Sequence, residues 1–356
     1  MGRPKLSSRR EFNRILAAGL FSGISSNSIA SRGAQKILAA AIQMTPVLGD
    51  VTKNMNQAER LVRKAVGQGA RWIILPEMFT SGVAFHPNML QAIRPLEGEP
   101  LHMLRTLARE GNATIGGSFL ARRGDEVFNT FVLVAPDGSY TRHDKDLPTY
   151  WENCYYRKGA DDGVLNTSLG PVGAVLCWEF IRSATARRLF NKVNFVVGGS
   201  CWWTLPDDAD PAHPRRAANL KMLRDAPVRM AQMLGVPVIH GSNAGGFEGY
   251  FSPELPDVAY NSSYLGEASI IDAQGRVLAR REGRAGEGVI TAEITIDQPS
   301  PTSPIPQEFW TPKEMPQEWK DSFNRWLVKG PDYFALVTQI YLQTGVVPEY
   351  TPEYLR

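Results

Sequence analysis

Three residues in this chain combine reactive chemistry with a place to hold it. Cys177 closes the apolar run of "GAVLCWEFIRS" (173–183), Glu77 follows another in "LPEMFTSG" (75–82), and Lys145 lies in "HDKDLPTYWENCYYRKG" (143–159), seven residues before Glu152. Each has an ordinary reading on its own: a lone cysteine after a strand is usually a core thiol, a strand-end carboxylate a cap, a lysine a solvated charge. Together they read differently. A cysteine at its free pKa is only a few per cent thiolate at neutral pH and needs a base beside it. Glu77 offers one, able to take the thiol proton and later to activate water. Lys145, set among Tyr150, Trp151, Tyr155 and Tyr156, would hold the oxyanion of a tetrahedral intermediate as a fixed positive charge. The backbone N–H of Trp178, at the start of a helix, adds a second donor and favours the thiolate. That set suffices for acyl transfer from nitrogen to water.

The elements that must position these residues alternate along the chain. "KILAAAIQM" (36–44) reads as a buried strand, and Asp50 then caps an amphipathic helix that carries Val51, Met55, Ala58, Leu61, Val62 and Ala65 on one face and stops at Gly67 and Gly69. "RWIILPE" (71–77) is a strand ending in a carboxylate, 100–111 a helix, 113–123 a strand, and 127–145 a hairpin around Pro136-Asp137-Gly138. The second half repeats the rhythm with strands at 172–177, 193–199 and 236–243, helices at 179–190 and 216–234, a hairpin at 268–281 and a last strand at 288–296. Two comparable halves of strands with interspersed helices predict an α/β sandwich. Beyond Gln298 the chain becomes proline-rich, with two short aromatic helical segments at 316–328 and 332–344. A tail of that kind cannot build its own core, so residues 298–356 are expected to pack on the domain or on a second subunit, in a homodimer or larger homo-oligomer.

Composition excludes several classes. With 356 residues, 43% hydrophobic and 21% charged, the chain is globular rather than disordered or fibrous. No stretch of eighteen consecutive apolar residues is present, so no spanning helix and no stable membrane insertion are expected. The cysteines Cys154, Cys177 and Cys201 form no disulfide framework, and neither they nor the five histidines show metal-ligand spacing, so neither metal nor cofactor is expected. The net charge of +3 is misleading. Residues 1–30 hold five basic residues against Glu11, which leaves the remainder at −1 and argues against nucleic acid as a partner. That same leader pairs Arg9 with Arg10, follows them with Phe12 and a mildly apolar run, and ends in Ser28-Ile29-Ala30. It resembles a twin-arginine export signal, which implies a periplasmic protein; an N-terminal amphipathic helix on a cytoplasmic protein is the alternative.

These segments, in this order, resemble the nitrilase (carbon–nitrogen hydrolase) superfamily over roughly residues 36–297. The resemblance rests on "LPEMFTSG", "KDLPTYWE", "GAVLCWE", "GGSCWW" and "GEASIIDAQGRVLA" with "GVITAEI". It implies a four-layer α-β-β-α sandwich over residues 31–297 and a Glu-Lys-Cys triad, with Glu77 as base, Lys145 as oxyanion stabiliser, Cys177 as nucleophile and Glu152 as a supporting carboxylate. Trp202 would line the substrate pocket. The family often has an arginine and a proline shortly after the cysteine; this chain supplies Arg182 and no proline. The implied activity is hydrolysis of a small non-peptide amide, of the amidase or carbamoylase type, with nitrile hydrolysis as the alternative. Tyr150, Trp151 and Trp202, with Trp178 and Trp203, point to an apolar or aromatic acyl group, although core packing would explain some of them equally well. A non-catalytic binding protein on this scaffold and a redox thiol paired with Cys154 or Cys201 are the rival readings; both leave the complete set of roles unexplained.

Overall fold

The computed structural model describes residues 34–349, and the leader discussed above lies outside them. The larger strands are β1 (Gln35–Met44), β2 (Trp72–Ile74), β3 (Thr114–Arg123), β4 (Glu126–Val134), β5 (Tyr140–Asp144), β6 (Val164–Thr167), β7 (Gly170–Leu176), β8 (Phe195–Ser200), β9 (Val238–Phe247), β10 (Ser262–Ile271), β11 (Val277–Glu282) and β12 (Gly288–Ile296). The main helices are α1 (Val51–Gly67), α2 (Glu99–Gly111), α3 (Ser183–Leu189), α4 (Pro214–Leu234) and α5 (Gln317–Tyr333). They form one sheet in the order β5-β4-β3-β2-β1-β12 and another in the order β6-β7-β8-β9-β10-β11.

The two sheets are joined at a single place. β1 runs antiparallel to β12 from Gln35↔Ile296 to Gln43↔Gly288, and only its last two residues pair with β9, Gln43 with Ser242 and Met44 with Asn243. Elsewhere the sheets lie face to face. The period of two along β1 shows this: Ala39 and Ala41 enter the layer between the sheets with Trp72, Phe131, Ala174, Phe195 and Ile270, while Ala40, Ile42 and Met44 meet Ala58, Leu61 and Leu104 of α1 and α2. On the other side, Val196 and Val238 pack under Leu189, Met230 and Leu234 of α3 and α4. The result is helix, sheet, sheet, helix, an α/β fold in four layers.

The last part of the chain is bound to this sandwich through backbone and aromatic contacts. The N–H of Ser183 donates to Phe309 O at 3.0 Å and that of Thr311 to Ile181 O at 2.9 Å, so an extended strand of the tail runs beside the segment that follows Cys177. α5 then crosses the turn at residues 150–154, with Gly330 against Asn153, where a Cβ would come within 2.1 Å of the Asn153 Cβ. The two separate tail helices expected from the sequence are one almost continuous helical run from Gln317 to Thr344, with Pro331 inside it. Packing of Phe323, Trp326, Phe334 and Val337 against the domain outweighs the lost hydrogen bond at the proline.

Candidate active site

Two glycines let the sheets bring their strand ends together. Gly199 of β8 and Gly241 of β9 are paired neighbours, and the chain leaving β2 lies directly on them. A Cβ at Gly199 would stand 2.7 Å from the backbone N of Glu77, and one at Gly241 2.7 Å from the carbonyl carbon of Leu75. Only bare backbone admits that approach. It delivers a carboxylate from the first sheet onto the ends of the second. Glu77 is held there by four neighbours: Oε1 accepts from Lys145 Nζ (3.0 Å) and Asn129 Nδ2 (2.9 Å), Oε2 from the N–H of Cys201 (2.9 Å), and its backbone oxygen from Asn243 Nδ2 (2.8 Å).

Lys145 follows β5 and is fully buried, with Glu152 Oε2 at 2.7 Å on its other side. Glu152 sits in a tight helical turn, Tyr150–Cys154, and reaches back to accept the N–H of Thr149 at 2.8 Å; Tyr156 donates its hydroxyl to the same oxygen. Burial alone would push the Lys145 ammonium toward neutrality. The carboxylates of Glu152 and Glu77 more than offset it and hold its pKa well above the usual lysine value. Burial raises the pKa of Glu77, against the opposing pull of Lys145 and with a further rise from Glu152.

Cys177 stands at the end of β7, buried, at φ 49°. A side chain there points out of both the strand it leaves and the short helical turn Cys177–Ile181 it begins. Non-glycine residues tolerate that conformation only at about 1–2 kcal/mol, and Met78 and Tyr150, also at positive φ, share it around the site. Burial raises the thiol pKa well above normal, Glu77 raises it further and Lys145 lowers it, so at rest Cys177 is a protonated thiol in the field of the other two. The N–H of Trp178 lies in the first turn, where a helix offers its own donors no acceptor.

What fixes the nucleophile's turn to the lysine's loop was not legible in the sequence. Glu179 accepts from the N–H of Leu176 (2.8 Å), just before the cysteine, and from the N–H of Asp146 (3.0 Å), just after the lysine. His143 Nε2 meets the same carboxylate at 3.1 Å and its Nδ1 meets Asp161 at 2.5 Å. Arg182 is buried against Asp146 at 2.6 Å, and Arg188 joins both Asp146 and Glu179. Burial would lower the His143 pKa, but Glu179 and Asp161 overcome it and raise it to about 10. The sign of the consequence is fixed. A raised pKa contributes stability that is present below the free histidine value of about 6.5 and lost as pH climbs through about 10. His143→Gln should therefore flatten the fall in Tm expected for the native chain between pH 7 and 10; equal slopes in differential scanning would remove the charged histidine.

Cys177 opens into a chamber whose wall includes Thr149, Tyr150, Trp178, Trp202 and Asn219. Trp202 donates its indole N–H to Asn219 Oδ1 at 2.8 Å, and Asn219 Nδ2 returns to Trp203 O at 2.9 Å. Trp151, expected beside the substrate, stands outside this chamber: it stacks on Trp203 with ring centres 5.4 Å apart and lines a second, outer cavity. The residues that sequence reasoning passed over are Asn129, Asn219 and Glu179, while Tyr156 entered it only as an aromatic neighbour of Lys145. Asn129 had one signal, a polar residue alternating inward in an otherwise apolar strand.

An α/β sandwich of two joined sheets with a buried carboxylate, lysine and thiol at their meeting edge defines a hydrolase-like architecture. Residues 38–302 match the carbon–nitrogen hydrolase family, most of the chain, and the protein belongs to that family. Among its relatives are a nitrilase from Pyrococcus abyssi, 28% identical over 57% of this chain and 79% of that protein, and an aliphatic nitrilase from Sinorhizobium fredii, 27% identical over 74% and 87%. A solved carbon–nitrogen hydrolase from Helicobacter pylori superposes with a TM-score of 0.63 at 19% identity, covering 73% of this chain and 89% of its own, which shows the shared fold.

Proposed function

We propose that the chain is a thiol hydrolase that cleaves a non-peptide carbon–nitrogen bond, with Cys177 as nucleophile, Glu77 as base and Lys145 as oxyanion partner. The observation that carries this reading is the single bridge Glu77–Lys145–Glu152 beside a protonated thiol at a strained strand end. Glu77 takes the thiol proton as sulfur attacks the carbonyl carbon of an amide; Lys145 Nζ and the Trp178 N–H meet the oxygen as it becomes negative. The nitrogen leaves with the proton carried by Glu77, giving a thioester and free ammonia or amine. Glu77 then takes a proton from water, the hydroxide attacks the thioester, and the acid departs as the thiol is re-formed. Glu152 keeps Lys145 charged and in place.

A nitrile is the second reading, and the relatives named as nitrilases favour it. There the sulfur adds to the nitrile carbon, a first water expels ammonia from the thioimidate, and a second releases the acid. Ammonia release from a panel of simple amides, carbamoyl compounds and nitriles separates these readings; a panel that yields no ammonia while the thiol is reduced overturns both. Because burial raises the Glu77 pKa and only ionised Glu77 accepts the thiol proton, kcat/KM is expected to fall with decreasing pH at a midpoint above the ordinary glutamate value of about 4.3. A limb at or below that value removes Glu77 as the base.

A further inference from the structure

The four aromatic residues Tyr150, Trp203, Tyr260 and Trp319 line both the Cys177 chamber and an outer cavity, so they stand where the two spaces meet. They differ from the other rings nearby in a way that bears on function. Trp151, Trp178 and Trp202, which each line one of the two cavities, are buried at 8%, 4% and 3% exposure. The four at the junction are each half-buried, with apolar surface left toward the cavity. Two of the four have polar groups already engaged: the Tyr260 hydroxyl donates to Thr204 O at 2.9 Å, and Asn219 anchors the Trp203 carbonyl. What they offer a ligand is ring surface.

One of the four comes from outside the family region. Trp319 lies on α5, past the end of the match at residue 302. It is held over the chamber by the tail's pairing beside Ile181–Ser183 and by its near-parallel stacking on Trp178, ring centres 6.4 Å apart. Glu254, from the hairpin that lines the outer cavity, ties down the same helix through Arg325 (2.6 Å) and Lys329 (2.7 Å). A rigid, half-exposed indole beside the nucleophile is built to bind.

We infer that residues beyond 302 complete the substrate site, and that Trp319 with Tyr150, Trp203 and Tyr260 forms an acceptor for a planar aromatic ring attached to the reacting carbon directly or through a short chain. The inference rests on the proposed hydrolase reading for its reacting group and deepens it: aryl and arylalkyl amides or nitriles are the substrates, and short aliphatic ones leave the junction empty. Such a ring gains both apolar burial and offset or edge contacts with its neighbours.

Two measurements on the full chain test this separately from the chemistry. In calorimetry with the Cys177→Ala protein, phenylacetate is expected to bind at least tenfold more tightly than butyrate, and Trp319→Ala in that background to weaken phenylacetate by about tenfold to thirtyfold, with Trp319→Phe restoring most of it. Equal binding of the two acids, or no effect of Trp319→Ala in a protein of native Tm, overturns the aromatic site even if amides or nitriles are hydrolysed. In turnover, the ratio of kcat/KM for phenylacetamide or phenylacetonitrile over the butyl analogue should fall in Trp319→Ala, chiefly through KM. Binding that follows this pattern without any turnover would uphold the aromatic site and sink the hydrolase reading instead.

Discussion

Cys177→Ala is expected to leave a folded protein whose turnover falls by about 10⁴-fold or more, the scale on which losing a covalent nucleophile acts. The alanine occupies the same backbone position, at φ 49°, so the conformational strain remains while the sulfur is gone. Cys177→Gly separates the two. Glycine adopts a left-handed conformation without the Cβ penalty, so this variant should be equally inactive yet at least as resistant to heat as the alanine one, by up to about 1 kcal/mol. The residue spends stability on its left-handed backbone conformation at φ 49°. Ammonia release and thermal unfolding on both variants make the check. Hydrolysis retained in either removes Cys177 as the nucleophile, and a glycine variant much less stable than the alanine one removes the strain.

How much of this site could be read from the chain alone depended on what each residue's neighbours were. Glu77 and Cys177 were visible because each ends an apolar run, and Lys145 because it stands just past a strand among aromatic residues; strand ends are where α/β proteins present side chains. Their convergence was not visible. It depends on two pairs between β1 and β9 that join the sheets and on Gly199 and Gly241, whose missing side chains let the Leu75–Glu77 segment lie against the second sheet. In the sequence those glycines are only two more small residues in apolar strands. The brace from Glu179 to Leu176, Asp146 and His143 was equally hidden, because Asp146 and His143 lie 33 and 36 residues from Glu179 along the chain. Trp151 shows the limit of composition as a guide: an aromatic next to the site residue Tyr150 turned one layer outward, since successive residues in a tight turn face different ways. Trp319 had no local signal at all. An aromatic residue in a helical tail earns a place in a pocket only through where the tail packs.

Lys145→Met is the variant with the largest combined effect. The lysine lies between Glu77 Oε1 at 3.0 Å and Glu152 Oε2 at 2.7 Å, with all three side chains buried. Methionine keeps the apolar stem and removes the charge, which leaves two buried carboxylates facing each other without a counter-ion. Activity should fall by about 10²-fold or more, the cost of one lost oxyanion donor in a dry site. Stability should fall by roughly 3–5 kcal/mol near neutral pH, as when one partner of a buried pair is removed. The pH dependence then follows by sign. Without the lysine nothing opposes the rise that burial and the neighbouring Glu152 impose on the Glu77 carboxyl, so its protonated form stabilises the fold below the unfolded value and that stability is lost as pH rises through the folded one. The Tm of Lys145→Met should therefore rise more steeply than that of the native chain as pH is lowered from 8 to 5, so that the gap between the two narrows. Adding Glu152→Gln to Lys145→Met removes one of the two facing charges and should return much of the stability at pH 8 with no return of activity. That divergence distinguishes an oxyanion-holding lysine from one that only balances charge: if the double variant regains turnover along with its Tm, the lysine's role is structural, and Cys177 works with some other donor.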